Sequence, residues 1–142
     1  MSDYIIFTVN QGHYALEVSH IERIDQVPAL TPIPNAHPYI DGMMTYHDQT
    51  AKVVNFRKMT DVHTEEPPES SQKLLIYRNE NRFFAIKVDA IKDIAAFDDT
   101  MIKPYAHQVK VGSYLQTRGV VEYKNALVIV IDSITLPHDE AA

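Results

Sequence analysis

Tyr14-Ala15-Leu16-Glu17-Val18-Ser19-His20-Ile21-Glu22-Arg23-Ile24 recurs without a gap as Phe84-Ala85-Ile86-Lys87-Val88-Asp89-Ala90-Ile91-Lys92-Asp93-Ile94. Each apolar position returns as apolar, while Glu17, Glu22 and Arg23 return with opposite charge. A second echo follows in the same order. Gly42-Met43-Met44-Thr45-Tyr46-His47-Asp48 returns as Gly119-Val120-Val121-Glu122-Tyr123-Lys124-Asn125, and Val53-Val54-Asn55 as Val130-Ile131-Asp132. The spacings, 70 and 77 residues, are too long for a solenoid unit and fit one small fold used twice. Recurrence of apolar positions with reversal of charged ones is the pattern of a shared core under two diverged surfaces.

The strands follow from local patterning. Tyr4–Val9 is rich in aromatic and β-branched residues. Asn10-Gln11-Gly12 is a turn signal, because Asn and Gly tolerate positive φ. In His13–Val18, Tyr14, Leu16 and Val18 alternate with Ala15 and Glu17, the period of a half-buried strand. Ile21 and Ile24 fit either a helical turn or a further strand. Pro28, Pro32, Pro34 and Pro38 make 27–38 an extended connection, since each removes an amide donor and fixes φ. Met43–Tyr46 and Ala51–Phe56 flank a polar turn, His47-Asp48-Gln49-Thr50. Lys73–Tyr77 and Arg82–Val88 flank the turn Asn79-Glu80-Asn81. Phe97-Asp98-Asp99-Thr100 and Pro104–Gly112 read as loops. Leu115–Tyr123 and Ala126–Asp132 form a hairpin across Lys124-Asn125. Ala126–Ile131 is continuously apolar, as expected of a strand covered on both faces. Gly42 and Gly119 each precede a bulky pair, and a backbone conformation that Gly adopts cheaply explains both.

Many short strands and scarce helix predict an all-β fold built of two small barrels or sandwiches. The acidic, proline-bearing segment Lys58–Gln72, with nothing to bury, falls between the repeats. It divides a single domain, 1–142, into subdomains of about 4–60 and about 72–136. A 142-residue chain buries about 68–70% of its unfolded surface, whereas a lone unit of ~60 residues is marginal, so the halves are expected to share a core.

Composition excludes several functions. A net charge of −6 disfavours general nucleic-acid binding and a polybasic membrane anchor. With no cysteine there are no disulfides, thiolate chemistry or Cys-based zinc sites. The Met-Ser-Asp-Tyr start has no signal-peptide character and the longest apolar run is far short of a membrane span, so a soluble cytoplasmic protein is expected. The seven histidines, His13, His20, His37, His47, His63, His107 and His138, form no H-E-x-x-H pair. There is no G-x-S-x-G elbow, Gly112-Ser113 lacking a second glycine, and four glycines build no phosphate loop. Asp98-Asp99 reads as a solvated pair. No candidate acid, base or nucleophile recurs between the repeats. The expectation is therefore a protein that is not an enzyme and carries no cofactor. The single metal-like grouping is Asp41, His47 and Asp48, which fits a small metal-binding hydrolase if the loop folds back, and a polar turn otherwise. Tyr46 and His47 at a hairpin tip are candidates for recognition.

The chain resembles the CheW-like domain family of bacterial chemotaxis. The carriers are Phe7-Thr8-Val9, Tyr14–Val18, Ile21-Glu22-Arg23-Ile24, Ile33–Gly42, Val53-Val54-Asn55-Phe56-Arg57, Ala85–Ile91 and Ala126–Asp132, spanning about residues 4–136. The resemblance implies two intertwined, five-stranded SH3-like barrels on a common apolar core. It also implies a non-catalytic adaptor that couples chemoreceptor cytoplasmic tips to the regulatory domain of the histidine kinase CheA. That kinase domain shares the fold and joins the adaptor through like barrel ends. The family usually reads Asn-Leu-Arg-Gly where this chain has Thr45-Tyr46-His47-Asp48, and an acidic residue where it has Arg23; Arg57 is kept. Histidine cannot imitate the five-donor fork of arginine. A divergent regulatory or decoy module in a non-motility signalling array is the alternative that these changes suggest. The expected partner-binding residues are Ile21, Arg23, Ile24, Tyr39, Gly42, Tyr46, His47, Asp48 and Arg57.

Overall fold

A computed structural model describes residues 1–60, 65–79, 82–104 and 114–137. The described residues form strands β1 (Ser2–Val9), β2 (Gly12–Glu17), β3 (Ile21–Gln26), β4 (Ile40–Tyr46), β5 (Gln49–Asn55), β6 (Lys73–Asn79), β7 (Arg82–Val88), β8 (Ala90–Phe97), β9 (Leu115–Tyr123) and β10 (Ala126–Ile134), with one short helix, α1 (Phe56–Met59). The Ile21/Ile24 stretch is thus strand, not helical turn. The fold is all-β, as the patterning predicts. The turns at Glu80-Asn81 and 105–112, with His63, His107, Ser113 and His138, lie outside the described residues.

Two five-stranded sheets result, ordered β8-β1-β2-β10-β9 and β3-β6-β7-β5-β4. Exchange each strand for its counterpart in the other repeat, β1 for β6 through β5 for β10, and one order becomes the other. The match extends to register. Val53 and Val54 stand opposite Ala85 and Ile86 in a parallel pair, as Val130 and Ile131 stand opposite Ala15 and Leu16. The structure corrects the division at 60/72. The second sheet is contiguous from Ile21 to Val88 and is inserted between the two portions of the first. The cause is strand exchange. β3 leaves the β1–β2 hairpin to pair with β6, and β8 leaves β6–β7 to pair with β1. Each repeat thereby covers a hairpin edge of the other that would otherwise stay open.

Three apolar clusters follow from strand alternation. Tyr4, Ile6, Ala15, Val121, Val128 and Val130 fill the inner face of the first sheet, and Tyr46, Val53, Leu74, Ile76 and Ala85 that of the second. The largest joins the opposite faces. Phe7, Tyr14, Leu16 and Ile131 meet Val54, Leu75, Tyr77 and Ile86, with Phe56 and Met59 of α1 added. Ala126–Ile131 is not covered on both faces as expected. Val128 and Val130 are buried, but on the opposite face exposure rises from Ile131 through half-buried Ile129 to Leu127 at 57%. The start of β10 runs out past the inter-sheet core.

The segment 58–72 is also more than an inert linker. Asn55 caps α1, its side chain accepting from the Lys58 amide at 3.2 Å, and Phe56, Arg57 and Met59 are buried. Gln72 is buried too. Gly42 and Gly119 have φ of 152° and 151°. A Cβ on Gly42 would lie 2.8 Å from the Thr31 carbonyl oxygen, and one on Gly119 would run into that of Lys103. Both glycines sit where a strand receives a bridging residue, Thr31 against Met43 and Lys103 against Val120. Their recurrence is a backbone requirement.

Candidate protein-protein interface

The hairpin tips are where the two repeats part company. His47-Asp48 and Lys124-Asn125 are both two-residue turns with left-handed φ at each position, 49° and 61° in one, 46° and 65° in the other. That is the primed turn whose twist matches a hairpin. The four-residue turn expected at 47–50 is thus shorter, because β5 begins at Gln49. Immediately before each turn a tyrosine reaches across the open side of its sheet to a carboxylate on the far edge strand. Tyr46 Oη donates to Glu22 Oε2 on β3 at 3.0 Å, and Tyr123 Oη donates to Asp93 Oδ2 on β8 at 2.6 Å. With the Thr31–Met43 and Lys103–Val120 bridges, these bonds bring the two edges of each sheet together. Glu22 and Lys92, which are equivalent in the repeat, both fall at a register shift.

Beyond this shared frame the ends differ. At the β4–β5 end, Glu22 also pairs with Arg78, whose guanidinium lies 5.7 Å from the Phe83 ring centre. Phe83 meets Tyr46 edge-on at 5.5 Å, and His47 meets it edge-on at 4.2 Å. Burial, and donation to the charged Glu22, raise the Tyr46 pKa. At the β9–β10 end, hydrogen bonds from Tyr123 and Lys124 pull the Asp93 pKa down to about 2. One end is thus a Tyr46-Phe83-Arg78 layer under an exposed histidine; at the other Tyr123 meets Phe97 edge-on at 5.8 Å, and the exposed Lys124 lies 5.3 Å from the Tyr123 ring centre and bonds Asp93.

The predicted partner residues fall into four places. Tyr46, His47 and Asp48 form the tip, and Tyr46 joins it to β3 through Glu22. Arg23 and Ile24 lie on β3 beside Glu22, Arg23 held by Asp25 at 3.0 Å and Ile24 39% exposed. Ile21 and Tyr39 are half-buried against the inter-sheet core, Tyr39 among the rings of His37 and Tyr114. Gly42 and Arg57 are withdrawn from any surface. Gly42 is buried, and Arg57, 3% exposed, pairs with Asp89 at 2.5 Å and donates to the Glu65 carbonyl at 3.1 Å. Arg57 therefore clamps α1 to the β7–β8 connection and is corrected to a structural role. Glu22, Arg78 and Phe83 complete the tip and were missed. The signal that could have found Glu22 is the reversal of its charge at Lys92.

Asp41 does not join His47 and Asp48 in a metal-like cluster. It lies instead in a partly buried network in which Lys87 Nζ approaches Asp41 Oδ2 at 2.5 Å and Glu66 Oε2 at 3.3 Å. Asn55 Nδ2 donates to both carboxylates, at 3.0 and 2.8 Å, and Lys58 Nζ reaches Asp41 Oδ1 at 3.1 Å. Burial opposes the charge on Asp41, but hydrogen bonds from Lys87 and Lys58 outweigh it and hold the pKa below the ordinary carboxylate value. For Glu66 burial is likewise outweighed, by Asn55 and Lys87, and its pKa is also lowered. Burial works against Lys87 too, yet its bond to Asp41 prevails and raises the pKa. All three groups are held charged, which suits a structural knot and not acid-base chemistry. Among the described residues no three His, Asp or Glu side chains are placed to hold a metal ion, and no helix is long and apolar enough to cross a membrane.

A family model described as CheW-like domain matches residues 3–140. The chain is similar to the chemotaxis protein CheW of Bacillus subtilis (strain 168), 23% identical over 91% of this chain and 82% of that one. It is also similar to the chemotaxis protein CheW of Thermotoga maritima, 18% identical over 92% and 83%. Among solved structures, the scaffolding protein TtCheW from Thermoanaerobacter tengcongensis superposes with a TM-score of 0.82 at 15% identity, over 92% of this chain and 84% of that one.

Proposed function

The chain belongs to the CheW-like domain family, and from that premise we propose that it is a non-catalytic adaptor in chemotaxis-type signalling. In this reading it couples chemoreceptor cytoplasmic tips to the regulatory domain of the histidine kinase CheA through protein-protein contacts. The observation that carries the reading is the asymmetry of the hairpin ends: one fold, repeated to the register of its strands, ends in two different surfaces. Interfaces favour aromatic and arginine anchors with apolar area around them. Tyr46, Phe83 and Arg78 supply the first, and Ile24 beside Arg23 the second. His47, Asp48 and Arg23 are the exposed groups that set specificity and orientation. The family role is carried out in the cytoplasm, which suits the acidic, cysteine-free composition. The test is titration with a receptor cytoplasmic tip and with the kinase regulatory domain. Binding to at least one at micromolar concentrations is expected; no binding to either at tens of micromolar removes the adaptor role.

A second reading, a regulatory or decoy module, draws on one observation. His47 and Asp48 keep left-handed backbone angles while the arginine and glycine usual in the family are gone. The turn is preserved and its chemistry replaced. If the replacement disables coupling, a His47→Arg/Asp48→Gly variant gains kinase coupling that the parent lacks. Equal coupling by parent and variant removes this reading and leaves the first in place.

A further inference from the structure

His37 stands at the rim of the inter-sheet core, in the proline-rich crossover of the second sheet. Its ring meets Tyr39 at 4.7 Å and Tyr114 at 5.3 Å, and those tyrosines meet each other at 5.9 Å, every pair steeply inclined. Tyr39 and Tyr114 both pack on the inter-sheet core. Tyr114 immediately precedes β9 of the first sheet, so the ring triad spans the two sheets.

The hydrogen bonds fix the state of the imidazole. The Tyr39 backbone amide donates to His37 Nδ1 at 3.1 Å. An amide nitrogen can only donate, so Nδ1 carries the lone pair. The ring is therefore neutral with its proton on Nε2, and Nε2 lies 3.2 Å from Tyr114 Oη, to which it donates. Protonation would add an N–H to Nδ1 pointing at the N–H of Tyr39. Two donors cannot share that contact, so the imidazolium must leave it. The titratable groups facing His37 among the described residues are Tyr39, on its own segment, and Tyr114, on the segment entering β9. The described carboxylates and ammonium groups make no ion pair with it that would favour the charged form.

We propose that His37 is a proton-sensitive latch on the proline-rich crossover: in both charge states Nε2 donates to Tyr114 at the start of β9, but only the neutral ring holds the Tyr39 amide, and protonation releases it. The same segment leads through the His37 carbonyl, which accepts from the Ile40 amide at 2.9 Å, directly into β4. The latch thus connects the pH of the medium to the strand that carries Tyr46. It stands on the geometry of the crossover alone and does not depend on the adaptor reading.

The test is an NMR titration of the labelled full chain from about pH 8 to about pH 5, the interval over which histidine changes charge. It would follow the His37 ring protons and the Tyr39 and Ile40 amides, with amide hydrogen exchange at both ends. The expected result is that the Tyr39 amide moves with the midpoint of His37, and that its protection, corrected for the intrinsic pH dependence of exchange, falls about 2- to 10-fold, the equivalent of one ordinary hydrogen bond. In a His37→Gln variant this pH response of Tyr39 should vanish. Should that variant fold poorly, Tyr114→Phe, which keeps the ring and removes only the Nε2 partner, is expected to retain the Tyr39 response. Titration of His37 without movement of Tyr39, or a Tyr39 response that survives His37→Gln, overturns the latch.

Discussion

Replacing Lys87 by methionine should be among the most damaging single changes outside the apolar core. Methionine fills nearly the same volume and is at home in a buried strand, so the loss is electrostatic. Lys87 is 5% exposed, while Asp41 at 2.5 Å and Glu66 at 3.3 Å are 14% and 37% exposed. Breaking a buried pair from one side costs about 3–5 kcal/mol, because the remaining charge is stranded. Lys58 still faces Asp41 and Asn55 still bonds both carboxylates, so the lower limit applies, about 3 kcal/mol. For a domain of this size that is roughly 10 °C in Tm. The pH dependence gives a sharper signature. Asp41 and Glu66 have lowered pKa values, so their stabilisation is complete above the unfolded-state values of about 3.9 and 4.3 and is lost as pH falls through the folded ones. Lys87 has a raised pKa, so its stabilisation is complete below about 10.4 and is lost as pH rises through the folded value. The wild-type network is therefore intact between about pH 4.3 and about pH 10.4. In Lys87→Met the stranded carboxylates can escape by protonation, so the deficit should be full at pH 7 and shrink toward pH 4. Urea denaturation at several pH values measures this directly, with an unchanged slope m showing that the unfolded state is unaltered. A deficit below about 1 kcal/mol, or one that does not vary between pH 4 and pH 7, refutes the reasoning.

Four further outcomes are expected. Gly119→Ala and Gly42→Ala should each cost about 2–3 kcal/mol by urea melting, since the new Cβ meets a bridging carbonyl at a left-handed φ. Asp48→Gly should gain up to about 1 kcal/mol in the same assay, because glycine relieves the φ of 61°. Asp93→Asn should be less stable than the parent at neutral pH, with the two converging as pH falls through about 2, where the parent's lowered carboxylate is lost; a difference that persists below that pH would contradict the Tyr123–Lys124 clamp. Ile24→Asp should leave stability within about 0.5 kcal/mol, as expected of a surface position, while weakening partner binding at least tenfold by calorimetric titration.

The repeat makes most of the fold legible in the sequence. Tyr14–Ile24 and Phe84–Ile94 each form a strand, a short connection and a second strand, and the β-hairpin at Lys124-Asn125 falls where the polar pair interrupts the apolar runs. What could not be read was which strand pairs with which. β3 is as good a third strand for its own hairpin as for β6, and no local pattern distinguishes the two, so the division at residue 60 mistook a boundary in sequence for one in space. The segment 58–72 misled for a similar reason. Glu66 looks like one more solvated acid, and its partners Lys87 and Asn55 are brought to it by the β5–β7 pairing. At the candidate interface, Tyr46 was visible as a repeated tyrosine, but its carboxylate was not. Glu22 and Asp93 are one position apart in the aligned repeats, and each meets its tyrosine only because the edge strands of its sheet approach each other in space. Arg57 shows the reverse error: a charged residue kept within a family suggests a contact, yet here it faces Asp89 in the interior.

The account rests on the claim that the diverged β4–β5 end and β3 meet a signalling partner. Calorimetric titration of the parent chain and of Ile24→Asp against the CheA regulatory domain and a chemoreceptor cytoplasmic tip tests it most directly. Micromolar binding by the parent to at least one of them, weakened at least tenfold in the variant, is the expected result. No binding by the parent at tens of micromolar, or equal binding by both proteins, would contradict it.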